Sequence, residues 1–563
     1  VPALSADDAI ALFADRAVAA NHRFSLKQAN AAAISELCRR LDGFPLAIEL
    51  AAARANVFSV ESLVERLDDR FAILTVGDRR ADARQRSMRA TIDWSYDLLP
   101  NSERLVFERL SVFSGGCTLK AAQAVCSEED DTDDVVTHVL ASLVDKSLVI
   151  VDLEATTPRY SLLESFHEYA REKLKSRGEA TAIALRHALA TLALAEQIGA
   201  AISRDLSASG EAVFIEIGNV RAALYWALTQ HGNVVVGQRL VGVAASWKSF
   251  TVAEARGWID AALSLANERT PGDVLARLRL TEASVAGEGL RFEAAFTAAA
   301  AALDHYRTAG DPMRLARALA FAGLALTGLN RAEEGMPFLL EAVKVSRDSG
   351  NNRLMANLLR EVALAMLRTG DVAGARGCAG ESLGLLETGG RQDVPLSLNV
   401  LAECEFLAGD SESALERASE ALALGHALRG KAADIRPMIL SNTSRYLVAL
   451  GRYAEATARS TESLALAMDL RFEVLIAWNL ENLAAIATLA SELAPERPSV
   501  TYENAARVFG FVNSRLAALG SDRDLTGQPQ YNRAVAILNE ALGAEAVTNL
   551  MTDGMSMTER EAI

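Results

Sequence analysis

The chain has 563 residues and a formal net charge of −16, and half of its residues are hydrophobic. Its length predicts several domains, because single hydrophobic cores stop growing at roughly 250–300 residues. The acidic balance argues against nonspecific binding of nucleic acid or of an anionic membrane by the chain as a whole. The five cysteines are scattered, and no uninterrupted apolar run is long enough to span a bilayer, so we expect a cytoplasmic globular protein.

Residues 1–80 are predicted to form a small helical bundle. Ser5-Ala-Asp-Asp8 has the pattern of a capping box and opens the first helix. Gly43 is expected to end the second helix in a left-handed conformation, and Pro45 to occupy the first turn of the next helix, where its missing N–H costs nothing. The helices are predicted at about 5–20, 27–41, 45–56 and 60–70.

Residues 81–175 begin with further helical signals. Pro100 ends one helix, and either Asn101 or Ser102 is expected to cap the next. Thr118 is expected to cap a second short helix. The apolar spacing of the helix after Pro100 places Arg109 at the rim of its packed face.

After these helices the spacing of the apolar residues changes from a helical to a β-strand pattern. A third helix is predicted at about 135–145, and the β-rich segments 147–153 and 159–162 around a Thr-Thr-Pro turn predict a hairpin. Three helices and a hairpin make a winged helix. The third helix contains no Lys or Arg and follows an acidic loop, so no direct DNA contact is expected from this chain.

An internal repeat organises the region 281–500, with copies that start at residues 290→330→370→409→451, that is 40, 40, 39 and 42 residues apart. In each copy a small residue ends one helix, and small residues lie five and twelve positions after the start. This pattern resembles the tetratricopeptide repeat with a period longer than its usual ~34 residues. It predicts a right-handed α-solenoid, preceded by degenerate helical repeats at 176–280 and closed by a helical cap at 501–563.

Three motif matches carry no chemistry. Gly425–Ala432 fits the phosphate-loop pattern GxxxxGK, but Ala432 stands where Ser or Thr binds Mg²⁺, and no strand precedes it. The loop from Asp522 is similar to a calcium loop, but Arg533 occupies the position of its twelfth-place glutamate. His167–Arg171 lacks the second histidine of a zinc HExxH motif. We therefore predict no metal site and no catalytic residues.

Several segments resemble the STAND-type signalling NTPases, which are relatives of the NB-ARC proteins. Leu41–Arg54, with its Gly-Phe-Pro, is similar to the Gly-x-Pro motif of their helical lid. Ile92–Phe113 is similar to the signature that opens their winged helix, and Glu216–Trp226 resembles the first helical pairs after it. The chain is thus similar to the C-terminal portion of a bacterial STAND/NB-ARC-like predicted-ATPase transcriptional regulator. It starts at Val1 within this pattern, so we expect the P-loop core to lie upstream.

The resemblance implies a nucleotide-lid role for Gly43 and Pro45, with the proline ring against adenine. It also gives Glu164 an acidic role after the wing, although that residue equally fits the first turn of a helix. Leu162 and Leu163 replace two residues of the family's Met-His-Asp motif, so its histidine–phosphate contact is not carried over. ATP or ADP is expected in the full-length protein and no cofactor in this chain alone.

The resemblance also implies a function. The chain is expected to be the sensor and regulatory portion of a nucleotide-switched signal-transduction ATPase that regulates transcription. Its repeats bind a protein or small-molecule inducer, and its other partners are the upstream nucleotide-binding core and an effector domain, with no membrane. No enzymatic activity is expected of this chain, whereas the full-length protein is expected to bind and slowly hydrolyse ATP. The alternative is a free-standing tetratricopeptide-type scaffold that binds proteins without nucleotide function.

Overall fold

The computed structural model describes residues 4–21, 24–25, 28–41, 43, 45–56, 58–64, 89, 92–128, 133–153, 157–204, 210–244, 250–386, 393–427, 435–492 and 498–562. The chain divides into two compact units. The first comprises Val1–Arg204, Glu211–Ser249 and Asp260–Asn267, and the second comprises Asp205–Gly210, Phe250–Ile259 and Glu268–Ile563. The predicted fold class is confirmed, since the chain is mostly helical with a winged helix and a repeat array.

The first unit begins with a helical bundle. Its helices are α1 (Ala6–Ala20), α2 (Gln28–Arg40) and α3 (Pro45–Ala53), followed by helical residues at 60–64. Ser5 caps α1 as predicted, because its hydroxyl accepts the Asp8 N–H at 3.2 Å. Phe13 and Leu37 are fully buried in the bundle core, which Trp94 also enters. The predicted helix at 60–70 is present up to residue 64, and its remainder lies outside the described residues.

The winged helix follows in the same unit. Its helices are α4 (Asn101–Arg109), α5 (Leu119–Cys126), α6 (Asp133–Asp145) and α7 (Glu164–Arg177), and its strands are β1 (Cys117–Thr118), β2 (Ile150–Asp152) and β3 (Arg159–Ser161). The sheet order is β1-β3-β2, and both pairings are antiparallel. The hairpin of β2 and β3 was predicted. Strand β1 was not, because two residues are too short to show a period.

Two local predictions for this domain are wrong. The N-cap of α4 is Pro100 without a side-chain hydrogen bond, so neither Asn101 nor Ser102 caps the helix. Arg109 is buried rather than at the rim: its guanidinium donates to the Cys126 carbonyl at 2.8 Å and pairs with Glu179 at 2.9 Å. The carboxylate of Glu179, directly before the helix that begins at Ala180, makes the burial of Arg109 possible. The helical spacing around Arg109 does not reveal such a distant partner.

The last helices of the first unit begin with α8 (Ala180–Arg204) and α9 (Gly210–Leu224). Helix α9 is fastened to the winged helix: the Asn219 amide donates to the Gly116 carbonyl at 3.0 Å and accepts the Ser114 N–H at 2.9 Å. Glu216 forms an ion pair with Arg159 of β3 at 2.6 Å. A Cβ on Gly218 would lie 2.5 Å from the Ser114 carbonyl oxygen, so only glycine fits there. The segment that begins at Glu216 is therefore a docking joint.

A π-helical turn (Tyr225–Thr229) follows, then α10 (Val234–Ala244) and α11 (Val252–Ser264). The second unit holds the predicted repeats as pairs of antiparallel helices. We call the first helix of each pair an A helix and the second a B helix. The A helices are α12 (Gly272–Glu288), α14 (Pro312–Gly328), α16 (Asn352–Arg368), α18 (Val394–Leu407) and α20 (Arg436–Ala449). The B helices are α13 (Phe292–Ala309), α15 (Ala332–Asp348), α17 (Val372–Leu386), α19 (Ser411–Ala427) and α21 (Tyr453–Leu470).

The array closes with α22 (Glu473–Ser491), α23 (Pro498–Leu519), α24 (Gln528–Leu542), α25 (Ala544–Gly554) and α26 (Glu559–Ala562). Within the described ranges, α22 is long and apolar enough to cross a bilayer by length and composition, which the sequence analysis did not anticipate. Most of it is buried inside the second unit, as expected of a core helix.

The small residues of the repeat pattern lie where helices touch. At Gly335 an added Cβ would lie 2.6 Å from the Gly323 carbonyl oxygen, so the backbones of α14 and α15 pass too closely for a side chain. All ten small residues are buried: Ala295, Ala302, Gly335, Ala342, Ala375, Ser382, Ala414, Ala421, Ala456 and Ser463. The repeat pattern thus marks the contact surfaces between helices.

Each turn from an A helix to a B helix contains one residue in the left-handed region. These residues are Leu290, Asn330, Gly370, Gly409 and Gly451, with φ of +56°, +61°, +86°, +92° and +73°. They are the start positions of the five sequence copies. Glycine adopts this conformation without a Cβ penalty, which explains why it occurs at three of the five turns.

We predict opposite effects for two glycine-to-alanine changes in the array. Gly370→Ala places a Cβ on left-handed backbone and should destabilise the fold by about 1 kcal/mol. Gly377→Ala lies on the exposed face of α17 and should stabilise it by about 0.5–1 kcal/mol, since alanine favours a helix. Denaturation with urea, followed by circular dichroism, measures both. Shifts of the same sign would contradict the assignment of the turn.

Candidate functional site

The joint between α2 and α3 has the predicted backbone. Gly43 has φ +65°, and its N–H donates to the Cys38 carbonyl at 3.1 Å. A Cβ there would lie 2.7 Å from the Leu4 carbonyl oxygen, and the Leu4 N–H donates to the Gly43 carbonyl at 2.9 Å. Pro45 is the first residue of α3 and is half-buried. The packing of the joint accounts for Gly43, and the nucleotide contact of both residues stays a prediction.

Glu164 lies elsewhere, exposed in the first turn of α7. Leu162 and Leu163 pack against the winged-helix core, which explains apolar residues at those positions. A carboxylate in a first turn is favourable for the helix by itself. In the described part of the chain, no hydrogen bond or ion pair joins Glu164 to Gly43 or Pro45, so its role in a nucleotide lid also stays a prediction.

The surface of α6 agrees with the expectation about DNA but does not test it. Its described exposed side chains are Asp134, Val135, His138, Ala141 and Asp145. Lys146 follows the helix and forms an ion pair with Glu103 at 2.5 Å. The helix therefore presents carboxylates, and phosphate contacts require cations or hydrogen-bond donors.

A buried polar cluster that the sequence did not reveal lies on the A helices of the last repeats. Successive A helices from α12 to α20, and then α22, contact one another, so they form one continuous layer of the array. Its polar side chains meet the loop between α23 and α24. We call the following set the A-layer cluster: Asn399 and Glu403 from α18, Asn442 and Arg445 from α20, Glu481 and Asn482 from α22, and Arg523, Asp524 and Thr526 from the loop.

Arg445 is the centre of the A-layer cluster, and its side chain is 1% exposed. Its Nη1 lies 2.8 Å from Asp524 Oδ1 and donates to Thr526 Oγ1 at 2.8 Å. The same nitrogen donates to Asn442 Oδ1 at 2.9 Å, and Nε donates to Asn482 Oδ1 at 3.0 Å. A buried guanidinium requires such charged and polar partners. It thereby connects α20, α22 and the loop.

Glu403 lies deep among the A helices, with part of its side chain still accessible. Its Oε1 accepts hydrogen bonds from the amides of Asn399 at 2.7 Å and Asn442 at 2.8 Å. Burial, reinforced by the negative charge of Asp524, raises the pKa of Glu403 to about 8. The raised pKa favours the protonated form of Glu403, and protonation reduces the negative charge around Arg445.

The A-layer cluster is incompletely satisfied. Arg523 pairs with Glu481 at 2.7 Å, and burial raises the pKa of Glu481. Glu481 Oε1 and Arg445 Nη2 are both buried without a hydrogen-bond partner in the described structure. Such atoms carry a desolvation cost of about 1–3 kcal/mol each. The guanidinium of Arg445 is a planar fork of donors, which is the geometry that carboxylates bind.

The sequence analysis did not identify this cluster, because its members come from three helices and a loop that are far apart in the sequence. One signal was present in the sequence: Asn399, Asn442 and Asn482 recur at roughly the repeat distance. The loop from Asp522 was compared with a calcium loop and rejected. Asp524 in that loop is held by Arg445.

Comparisons with known proteins agree with the winged helix. The family described as "Winged helix-turn-helix domain" matches residues 99–175. This range contains α4 to β3 and most of α7. A winged-helix domain is therefore shown by sequence as well as by structure.

The chain is homologous to bacterial proteins named as regulators. It is 34% identical over 431 residues to a "Putative HTH-type transcriptional regulator" of Mycobacterium tuberculosis, covering 75% of this chain and 48% of that protein. It is also 42% identical over 189 residues to an uncharacterized protein of the same species, covering 33% of this chain and 48% of the relative. The chain thus spans about half the length of the curated relatives it matches.

A solved structure shares the fold. The crystal structure of a STAND protein (signal transduction ATPase with numerous domains) with a tetratricopeptide repeat sensor, from Pyrococcus horikoshii, matches with a TM-score of 0.50 at 14% identity. The match covers 97% of this chain and 75% of that chain. It confirms the predicted similarity to a STAND protein with a repeat sensor at the level of fold.

The raised pKa of Glu403 predicts a pH-dependent effect of Glu403→Gln. The Glu403 carboxyl has a pKa of 4.5 in the unfolded chain and about 8 in the folded protein, so between these pH values the folded state keeps a proton that the unfolded chain releases. The free energy of unfolding of the wild-type protein therefore falls as the pH rises from 4.5 to about 8. Glutamine lacks this titration and preserves the acceptor oxygen. The variant should gain at least about 1 kcal/mol over wild type between pH 5 and pH 8.

Thermal unfolding of the two proteins at several pH values measures this difference. Glu416→Gln is the matched control, because Glu416 is exposed on the neighbouring helix α19. We expect no pH-dependent difference for the control. A constant difference between Glu403→Gln and wild type across this range would show that Glu403 is ionised in the folded protein.

Proposed function

We propose that this chain is the signal-sensing portion of a bacterial transcriptional regulator, and that a protein or small-molecule signal binds its repeat array. The homology to proteins named as regulators supports the regulatory role. The observation that carries the proposal is the A-layer cluster, a buried and incompletely satisfied polar cluster built from the A helices α18 and α20, from α22 and from the loop between α23 and α24.

The proposal also includes a switch of the regulator between two states that is controlled by bound nucleotide. In the longer protein, Gly43 and Pro45 form part of the lid over an ATP- or ADP-binding core. The fit is geometric: Gly43 fixes the turn, and Pro45 presents a half-buried ring at the start of α3, where an adenine base can stack. The phosphate and Mg²⁺ contacts come from residues outside this chain, and this chain itself carries no catalytic step. We place the protein in the cytoplasm.

Signal binding acts through a shift between two states of the regulator, with a coupling energy typically of about 1–3 kcal/mol. The joint between α9 and the winged helix is suited to transmit such a shift. Asn219 and Glu216 engage backbone and side-chain groups of the winged helix, so α9 and that domain move together. The winged helix acts as an internal clamp rather than a DNA reader.

Transcript profiling tests the regulatory role. The gene is deleted in the source organism and complemented with the full-length natural protein carrying either Gly335→Leu or Gly377→Leu. Gly335 faces the backbone of α14, so a leucine there disrupts the array, whereas Gly377 is exposed on α17. We expect Gly377→Leu to restore the wild-type transcripts and Gly335→Leu to fail. Unchanged transcripts after deletion of the gene would refute the proposed role.

Nucleotide retention tests the switching part separately. The purified full-length protein is denatured and its released nucleotide is identified by ion-exchange chromatography. We expect bound ADP or ATP, and Pro45→Ala should release it roughly three- to tenfold faster because the ring contact is lost. Pro395→Ala, which removes a proline from the first turn of α18, is the matched control and should leave release unchanged. Full-length protein without nucleotide would exclude the switch.

A further inference from the structure

The loop between α23 and α24 covers the A-layer cluster. It contributes an acidic and a hydroxyl side chain, Asp524 and Thr526, to the guanidinium of Arg445. The Asp522 carbonyl accepts from the indole N–H of Trp478 at 3.4 Å, and Arg523 pairs with Glu481. This loop therefore contacts α20 and α22 through polar groups of several successive residues.

These contacts are of the kind that a bound peptide makes. The segment contributes one carboxylate, one hydroxyl, one guanidinium and one backbone carbonyl to side chains of the array. Leu525 lies between the two anchoring residues and is 43% exposed, so it adds little apolar burial. Gly527 passes Arg445 so closely that a Cβ would lie 3.3 Å from Nε. Side-chain recognition by Arg445, rather than hydrophobic packing, holds this part of the loop.

The loop leaves the surface beneath it incompletely paired. Among the described residues, Arg445 Nη2 and Glu481 Oε1 find no hydrogen-bond partner while the loop is in place, and both atoms are buried. A ligand that presents a carboxylate in a bidentate arrangement to Arg445, or a donor to Glu481, gains hydrogen bonds that the loop does not make. The loop therefore satisfies only part of the hydrogen-bonding capacity of Arg445 and Glu481.

We propose that Arg445, which the Oδ1 atoms of Asn442 and Asn482 hold in place, binds the carboxylate of a peptide. The loop with Asp524 and Thr526 occupies this site in the structure, and such a peptide replaces it. This inference rests on the proposed sensing function and names the class of signal. Because the loop is covalently attached, its high effective concentration sets a threshold that the incoming peptide has to exceed.

A synthetic peptide tests the proposal directly. A fluorescently labelled peptide with the sequence of residues 519–531 is titrated against the whole chain, with binding measured by fluorescence anisotropy. Asp524→Ala weakens the attached loop, so this variant should bind the peptide at least about tenfold more tightly than the wild-type chain. Asp522→Ala is the matched control in the same loop, because Asp522 is exposed and its backbone carbonyl accepts the hydrogen bond from Trp478, which alanine preserves. It should bind like wild type.

Two further measurements keep the result interpretable. The same peptide with asparagine in place of its second aspartate should bind the Asp524→Ala chain more weakly than the unchanged peptide does. The unchanged peptide should in turn bind the Asp524→Ala, Arg445→Lys double variant more weakly than it binds Asp524→Ala. Circular dichroism confirms that each chain is folded. Equal affinity of the wild-type and Asp524→Ala chains for the peptide, or equal binding of both peptides, would overturn the proposal.

The outcome separates this inference from the proposed function. If the peptide does not bind but disruption of the array still abolishes transcript control, the array senses its signal at another surface. If the peptide binds but transcripts do not depend on the gene, the loop is a displaceable occupant in a protein that does not regulate transcription.

Discussion

A guanidinium buried at the centre of the last repeats organises the C-terminal part of this chain. Arg445 is taken almost completely out of water, and a charge in that position is tolerated only with charged and hydrogen-bonding partners around it. Those partners come from α20, α22 and the loop before α24. The requirement to pair one cation therefore fixes where the C-terminal cap lies on the array.

The repeats themselves could be predicted because their constraints are local and periodic. A small residue at each helix contact recurs at nearly constant spacing in the sequence, and glycine marks three of the five left-handed turns. Leu290 is the informative exception: it adopts the same left-handed conformation as Gly370 without being glycine, so the turn is imposed by the helices on either side. The winged helix was predicted from its change of period in the same way.

The A-layer cluster could not be predicted because its partners are far apart in the sequence. Asp524 lies in the loop before α24 and pairs with Arg445 of α20. In the same way, the buried Arg109 of α4 pairs with Glu179, which precedes α8. Helical periodicity identifies which face a residue occupies but not which distant residue meets it. The nucleotide contact of Gly43 and Pro45 is a prediction from a resemblance, whereas the close approach of Leu4 accounts for glycine at position 43.

The central claim is that the A-layer cluster receives the signal that the regulator responds to. Its most direct test is transcript profiling of a strain in which the full-length natural protein carries Arg445→Lys, which preserves the charge but removes the planar fork. Arg459→Lys serves as the control, because Arg459 is about half exposed and pairs with the neighbouring Glu462 on α21. We predict that Arg445→Lys abolishes the signal-dependent change in transcripts at a normal protein level, while Arg459→Lys preserves it. A full response with Arg445→Lys would contradict the account.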